Sequence, residues 1–87
     1  MRTITIGQRI FWARIHHNTG IYEVCELTVR TVYPDTFVGV DKDSKQAYII
    51  NYDECDKTIF DTRGDALEVV KEAEKYKKEF TIDKSEE

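Results

Sequence analysis

The stretch Ile21-Tyr22-Glu23-Val24-Cys25-Glu26-Leu27-Thr28-Val29-Arg30-Thr31-Val32-Tyr33, then Pro34-Asp35, then Thr36-Phe37-Val38-Gly39-Val40, decides the fold of this chain. Its β-branched and aromatic residues suit a pleated, half-buried surface, and Pro34 presets φ at the first central position of a tight turn. Two antiparallel strands follow from that reading. Within the first, Tyr22 and Val24 share one phase and Cys25, Leu27, Val29 and Tyr33 the other. Because side chains alternate with a period of two, this slip predicts a bulge or sharp bend, which would let a small sheet curl on itself. Gly39, inside the second strand, predicts a bend or a close backbone approach.

Working outward, residues 8–15 read as a strand between the Gly7 break and the loop His16-His17-Asn18-Thr19-Gly20. Downstream, Asp41-Lys42-Asp43-Ser44-Lys45 is a polar hairpin loop, residues 46–51 a strand buried near its middle, residues 52–56 a single helical turn, and residues 57–60 a short last strand. By analogy of element order, this is a mainly β (α+β) fold: a small SH3-like antiparallel barrel of about five strands with a C-terminal amphipathic helix. The helix is expected over residues 62–80. Thr62 and Asp65 form a capping-box variant, and Ala66, Leu67, Val70, Ala73 and Phe80 mark an apolar stripe. That stripe is expected to dock on the chain's own sheet. Residues 81–87 read as a polar, frayed tail. A single domain over residues 1–87 is expected, with the barrel at about 6–60.

The composition narrows the function classes. At 87 residues there is room for one core, and little remains for a preorganised catalytic pocket, so an enzyme is not expected. Hydrophobic residues make up 40% of the chain and charged residues 34%, with a net charge of −4. Such a balance supplies no global positive field, which disfavours nucleic acid and anionic lipid as partners. The absence of an apolar stretch long enough to span a bilayer, and of a secretory-signal pattern, reads as cytoplasmic with no membrane partner.

No motif carries a metal or cofactor. His16, His17, Cys25 and Cys55 are zinc-type residues without the closely spaced pairs of a structural site, and the cysteines read as buried thiols. The loop starting at Asp41 begins like a calcium loop, but its sixth and twelfth positions are Gln46 and Tyr52, where Gly and Glu are needed. The acidic run Asp53, Glu54 and Asp56 reads as a solvated turn. No catalytic residue is assigned.

A barrel this small cannot bury every aromatic, so the candidate binding residues are Trp12, Arg14, Tyr22, Tyr48 and Tyr52. They point first to another protein as partner. A small-molecule ligand such as a nucleotide, held by an arginine and an aromatic in an oligomer, is the alternative. A nucleic-acid contact is the further one, and the assembly is expected to be a monomer or a homodimer.

The runs Gly20 to Val32, Phe37-Val38-Gly39-Val40-Asp41, Ala47-Tyr48 and Ala66-Leu67-Glu68-Val69-Val70-Lys71-Glu72-Ala73-Glu74 resemble small proteins of Gram-positive bacteria, clostridia and bacilli, and of their phages. The resemblance covers most of residues 6–75. It implies a non-enzymatic accessory protein in the bacterial or phage-infected cytoplasm, one that binds and modulates a host protein such as a defence or regulatory factor. It carries no functional residues with it.

Overall fold

The computed structural model describes residues 3–85, with side chains through Tyr76. Its elements run β1 (Arg9–His16), β2 (Ile21–Val32), β3 (Thr36–Asp41), β4 (Ala47–Asn51), a 3-10 turn (Tyr52–Glu54), β5 (Ile59–Phe60) and α1 (Arg63–Ser85). All strand pairs are antiparallel, in the order β4-β3-β2-β1-β5. The fold is therefore mainly β with one C-terminal helix, as the element order predicts. The sheet curls without closing, since β4 and β5 are its two edges and no ladder joins them.

Both faces of the sheet are apolar where they need to be. On the concave side Ile4, Ile10, Leu27, Val29, Phe37, Ile50 and Ile59 are buried together, with Trp12, Cys25, Tyr48, Tyr52 and Cys55 packed against them. On the convex side Ala13 meets Ala66 and Val70 of α1, flanked by Phe11, Ile15, Tyr22, Val24, Phe60 and Val69. The two phases of β2 thus have a simple origin: Tyr22 and Val24 face the helix, while Cys25, Leu27 and Val29 face the concave core. A true irregularity also exists, a register shift against β3 between Val29 and Thr31. It bends the strand and increases local twist, which is what curls the sheet.

Turn chemistry sets the registers. The Pro34-Asp35 hairpin is closed by the Tyr33 amide donating to the Thr36 carbonyl at 2.8 Å. At the β3–β4 turn, the Lys45 amide donates to the Asp41 carbonyl at 3.0 Å and the Asp41 amide to the Gln46 carbonyl at 2.8 Å, with Lys45 at φ 65°. This is the arrangement of a three-residue loop followed by a bulge residue in the left-handed region. Asp41 accepts from the Asp43 amide at 2.8 Å and the Ser44 amide at 3.1 Å, so its carboxylate organises the loop.

The helix starts where its capping signal predicts, the Asp65 amide donating to Thr62 Oγ1 at 3.3 Å. Arg63 and Arg9 both reach Glu26, at 3.3 and 3.2 Å, pinning the first helical turn to β1 and β2. The docked stripe differs from the expected one. Ala66 and Val70 are buried and Val69 half-buried, whereas Leu67 is 40% exposed, because successive helical residues diverge by about 100° and only one row faces Ala13. Phe80 lies outside the described side chains. The backbone is helical through Ser85, beyond the expected end at residue 80; no Gly or Pro follows Gly64, so nothing in the local sequence terminates the helix. No helix among the described residues is long and apolar enough to cross a membrane.

Candidate functional site

The register of β1 against β2 places Trp12 opposite Cys25 and Arg14 opposite Glu23, so Trp12 and Arg14 share the concave face. Tyr48 enters the same face from β4, opposite Gly39. The Trp12 and Tyr48 rings lie 5.0 Å apart, tilted by 59°, both half-buried. The Arg14 guanidinium stands 5.7 Å from the Trp12 ring, and Tyr48 Oη donates to Gln46 Oε1 at 2.8 Å. Three of the five residues proposed from sequence therefore converge.

The other two do not. Tyr22 faces the helix side, its hydroxyl 2.7 Å from His17 Nδ1 and its ring edge-on to that imidazole. The even-numbered residues of β2 point away from the concave face, which separates Tyr22 from Trp12. Tyr52 packs against Phe37 with centroids 5.3 Å apart and donates its hydroxyl to the Tyr33 carbonyl at 2.9 Å. It ties the 3-10 turn to the β2–β3 hairpin and acts as a strut.

Beside Arg14 lies a small polar cluster. Arg14 Nη1 is 3.6 Å from Glu23 Oε1, and the Cys25 thiol donates to the same oxygen at 3.8 Å. Burial, then the Glu23 and Asp41 charges, push the Cys25 thiol up to about 11, which favours the protonated thiol at neutral pH. Burial likewise raises Cys55. The Ser44 amide, then the Asp43 amide, hold the Asp41 carboxyl below its ordinary value against the opposing effect of burial, with smaller help from Cys25 and Arg14. Arg14 Nε is buried with no hydrogen-bond partner among the described residues. The charges flanking the guanidinium are the Glu23 and Asp41 carboxylates, which oppose the approach of an anion.

Trp12 and Tyr48 border an opening at the unjoined seam of the sheet. A groove of about 230 Å3 lies there, lined by Trp12, Tyr48, Ile49, Ile50, Asn51, Glu54 and Thr58. β4 forms one wall and the turn leading into β5 the other, with Trp12 between them. Glu54 is half-buried, and one of its oxygens accepts from Thr58 Oγ1 at 2.9 Å. Among the described residues no cation pairs with it.

Among the described residues, the wall formed by β4 is an unprotected strand edge. Because the Gln46 carbonyl points to β3, the antiparallel alternation directs Tyr48 and Ile50 to β3 and turns the backbone groups of Ala47 and Ile49 outward. Ala47-Tyr48-Ile49-Ile50-Asn51 contains no charge and no proline, the usual guards of such an edge. Ile49, expected to be buried, is 77% exposed, since α1 covers β1, β2 and β5 and stops short of β4. β5, the opposite edge, spans only two residues.

Ile49, Asn51, Glu54 and Thr58 were not among the residues proposed from sequence. The signal that could have found them is the uncharged run 47–51 next to the acidic run 53–56, which mark an open edge only once β4 is known to be the last strand of the sheet. No protein-family model matches this chain, and neither a curated protein nor a solved structure does.

Proposed function

We propose that this chain is a non-enzymatic protein-binding module of the bacterial cytoplasm that takes up an extended segment of its partner along the free edge of β4. A single observation carries the reading: an uncharged strand edge, unpaired among the described residues, opens directly onto a groove floored by Trp12. An added strand would bond to the outward backbone groups of Ala47 and Ile49, and alternate side chains would enter the groove beside Tyr48. In this proposal the owner of that segment is a host protein, such as a defence or regulatory factor.

The test is affinity capture from a Gram-positive lysate with the wild-type chain and with Ile49→Lys, which places a charge on an exposed edge position without touching the core. The partner should be retained by the wild type and lost by the variant at unchanged melting temperature. Hydrogen exchange should slow at the Ala47 and Ile49 amides in the complex. Equal retention by Ile49→Lys, with protection elsewhere on the protein, would refute the proposal.

The proximity of Arg14 to Trp12 favours a second reading, in which an aromatic and an arginine hold a nucleotide. Glu23 and the Asp41 charge oppose it, because both carboxylates flank the guanidinium and would repel a phosphate. An ultraviolet-absorbing ligand co-purifying with an oligomer would favour this second reading.

A further inference from the structure

Resting on the strand-addition reading, we infer that the segment taken up by β4 is basic, and that it directs a lysine side chain into the seam groove between the Trp12 and Tyr48 rings and the Glu54 carboxylate. Three observations converge on that chemistry. Trp12 and Tyr48 are only half-buried, sit at 59° to one another and both line the groove. An aromatic face attracts a cation through its quadrupole, and more strongly where water is partly excluded. Glu54 stands on the facing wall, half-buried, with one oxygen fixed by Thr58 and with no cation paired to it among the described residues.

The surroundings have the same sign. Glu54 is the charged side chain among the described residues that line the groove, and Asp53 precedes it in the exposed turn. An acidic rim of this kind favours a basic segment at encounter and disfavours an acidic one. Arg14 is directed to Glu23 and is not among the residues that line the groove. The added strand's alternation completes the fit: residues on one side of the lysine's strand enter the groove, and those on the other lie beside Ile49, whose exposed side chain offers apolar contact.

The experiment uses the whole protein, isotope-labelled, and three acetylated and amidated pentapeptides: Thr-Val-Lys-Val-Thr and the same peptide with norleucine or glutamate at the centre. In amide correlation spectra, shifts at Ala47 and Ile49 report strand addition, and the indole N–H of Trp12, the chain's sole tryptophan, reports the groove. The lysine peptide is expected to bind about 10-fold more tightly than the norleucine one, the glutamate peptide more weakly than either. Glu54→Gln, which keeps an acceptor for Thr58, should remove most of the lysine preference while leaving norleucine binding unchanged. Norleucine binding within twofold of lysine, with shifts at Ala47 and Ile49, would overturn the basic-segment assignment and leave strand addition standing. No shift at those amides with any peptide would overturn both. Shifts there on concentrating the protein alone would assign the edge to a second copy and overturn the inference.

Discussion

Replacing Gly39 by alanine tests how tightly the concave core is closed. The new methyl would lie 3.1 Å from Leu27 Cδ1 and 3.2 Å from Leu27 Cβ, with Ile50 Cδ1 at 3.6 Å. The first two approaches are too short for relaxed carbon contacts, and Leu27 is fully buried, so it has little room to withdraw. Overpacking of this kind costs about 1–3 kcal/mol, and the lower chain entropy of alanine in the unfolded state offsets about 0.4–1 kcal/mol. The net expectation is a loss of roughly 1 kcal/mol, which lowers the melting temperature of a domain this size by about 4–8 °C. Urea unfolding followed by circular dichroism would show it as a lower midpoint at unchanged slope. A double-mutant cycle makes the reasoning specific. Leu27→Ala alone should cost about 2–5 kcal/mol, but with Gly39→Ala already present its methyl takes up part of the vacated space, so the pair should lose about 1 kcal/mol less than the sum. A Gly39→Ala protein as stable as the wild type, or a strictly additive pair, would refute the close-approach argument.

Other expectations follow from the helix, the Asp41 loop and the thiols. Val70→Ala removes two buried methyl groups from the helix–sheet contact and should cost about 2 kcal/mol by urea denaturation; no loss would mean that α1 is not docked through that row. Thr62→Ala deletes the cap on the Asp65 amide and should cost about 1 kcal/mol, recovered largely by Thr62→Ser. Because the folded state holds the Asp41 carboxyl below its unfolded value, the stability it contributes is present above the unfolded value, near pH 4, and declines as pH falls through the lower folded one. Asp41→Asn should flatten the stability profile in that acidic window, and an unchanged profile would contradict the amide contacts. With Cys55→Ser in place, thiol labelling of Cys25 should keep accelerating above pH 9, where an ordinary thiol levels off, and should regain ordinary behaviour in denaturant.

Local chemistry announced much of this architecture. Pro34-Asp35 and the polar loop after Asp41 set two hairpins, Thr62 with Asp65 set the helix start, and β-branched alternation set the strands, because each of these depends on residues a few positions apart. The close approach at Gly39 was legible for the same reason, although its partners Leu27 and Ile50 were not. The two phases of β2 were visible as well, but their cause lay beyond the strand: Tyr22 and Val24 are apolar because a helix more than forty residues downstream covers them.

What the sequence by itself determined, then, is the inventory of elements, the antiparallel turns between them and the net negative charge that disfavours phosphate backbones. Only the tertiary structure decided which aromatics meet. Trp12, Arg14 and Tyr48 converge because β1 and β4 curl toward one another, whereas Tyr22 faces the helix and Tyr52 braces a hairpin. It also decided that β4 is left as an open edge with Ile49 exposed beside Glu54. The physical reason is that an edge is a property of the whole sheet. A strand's own residues encode its pleat and its buried face, but whether its outer backbone groups find a partner depends on where every other strand and the helix come to rest.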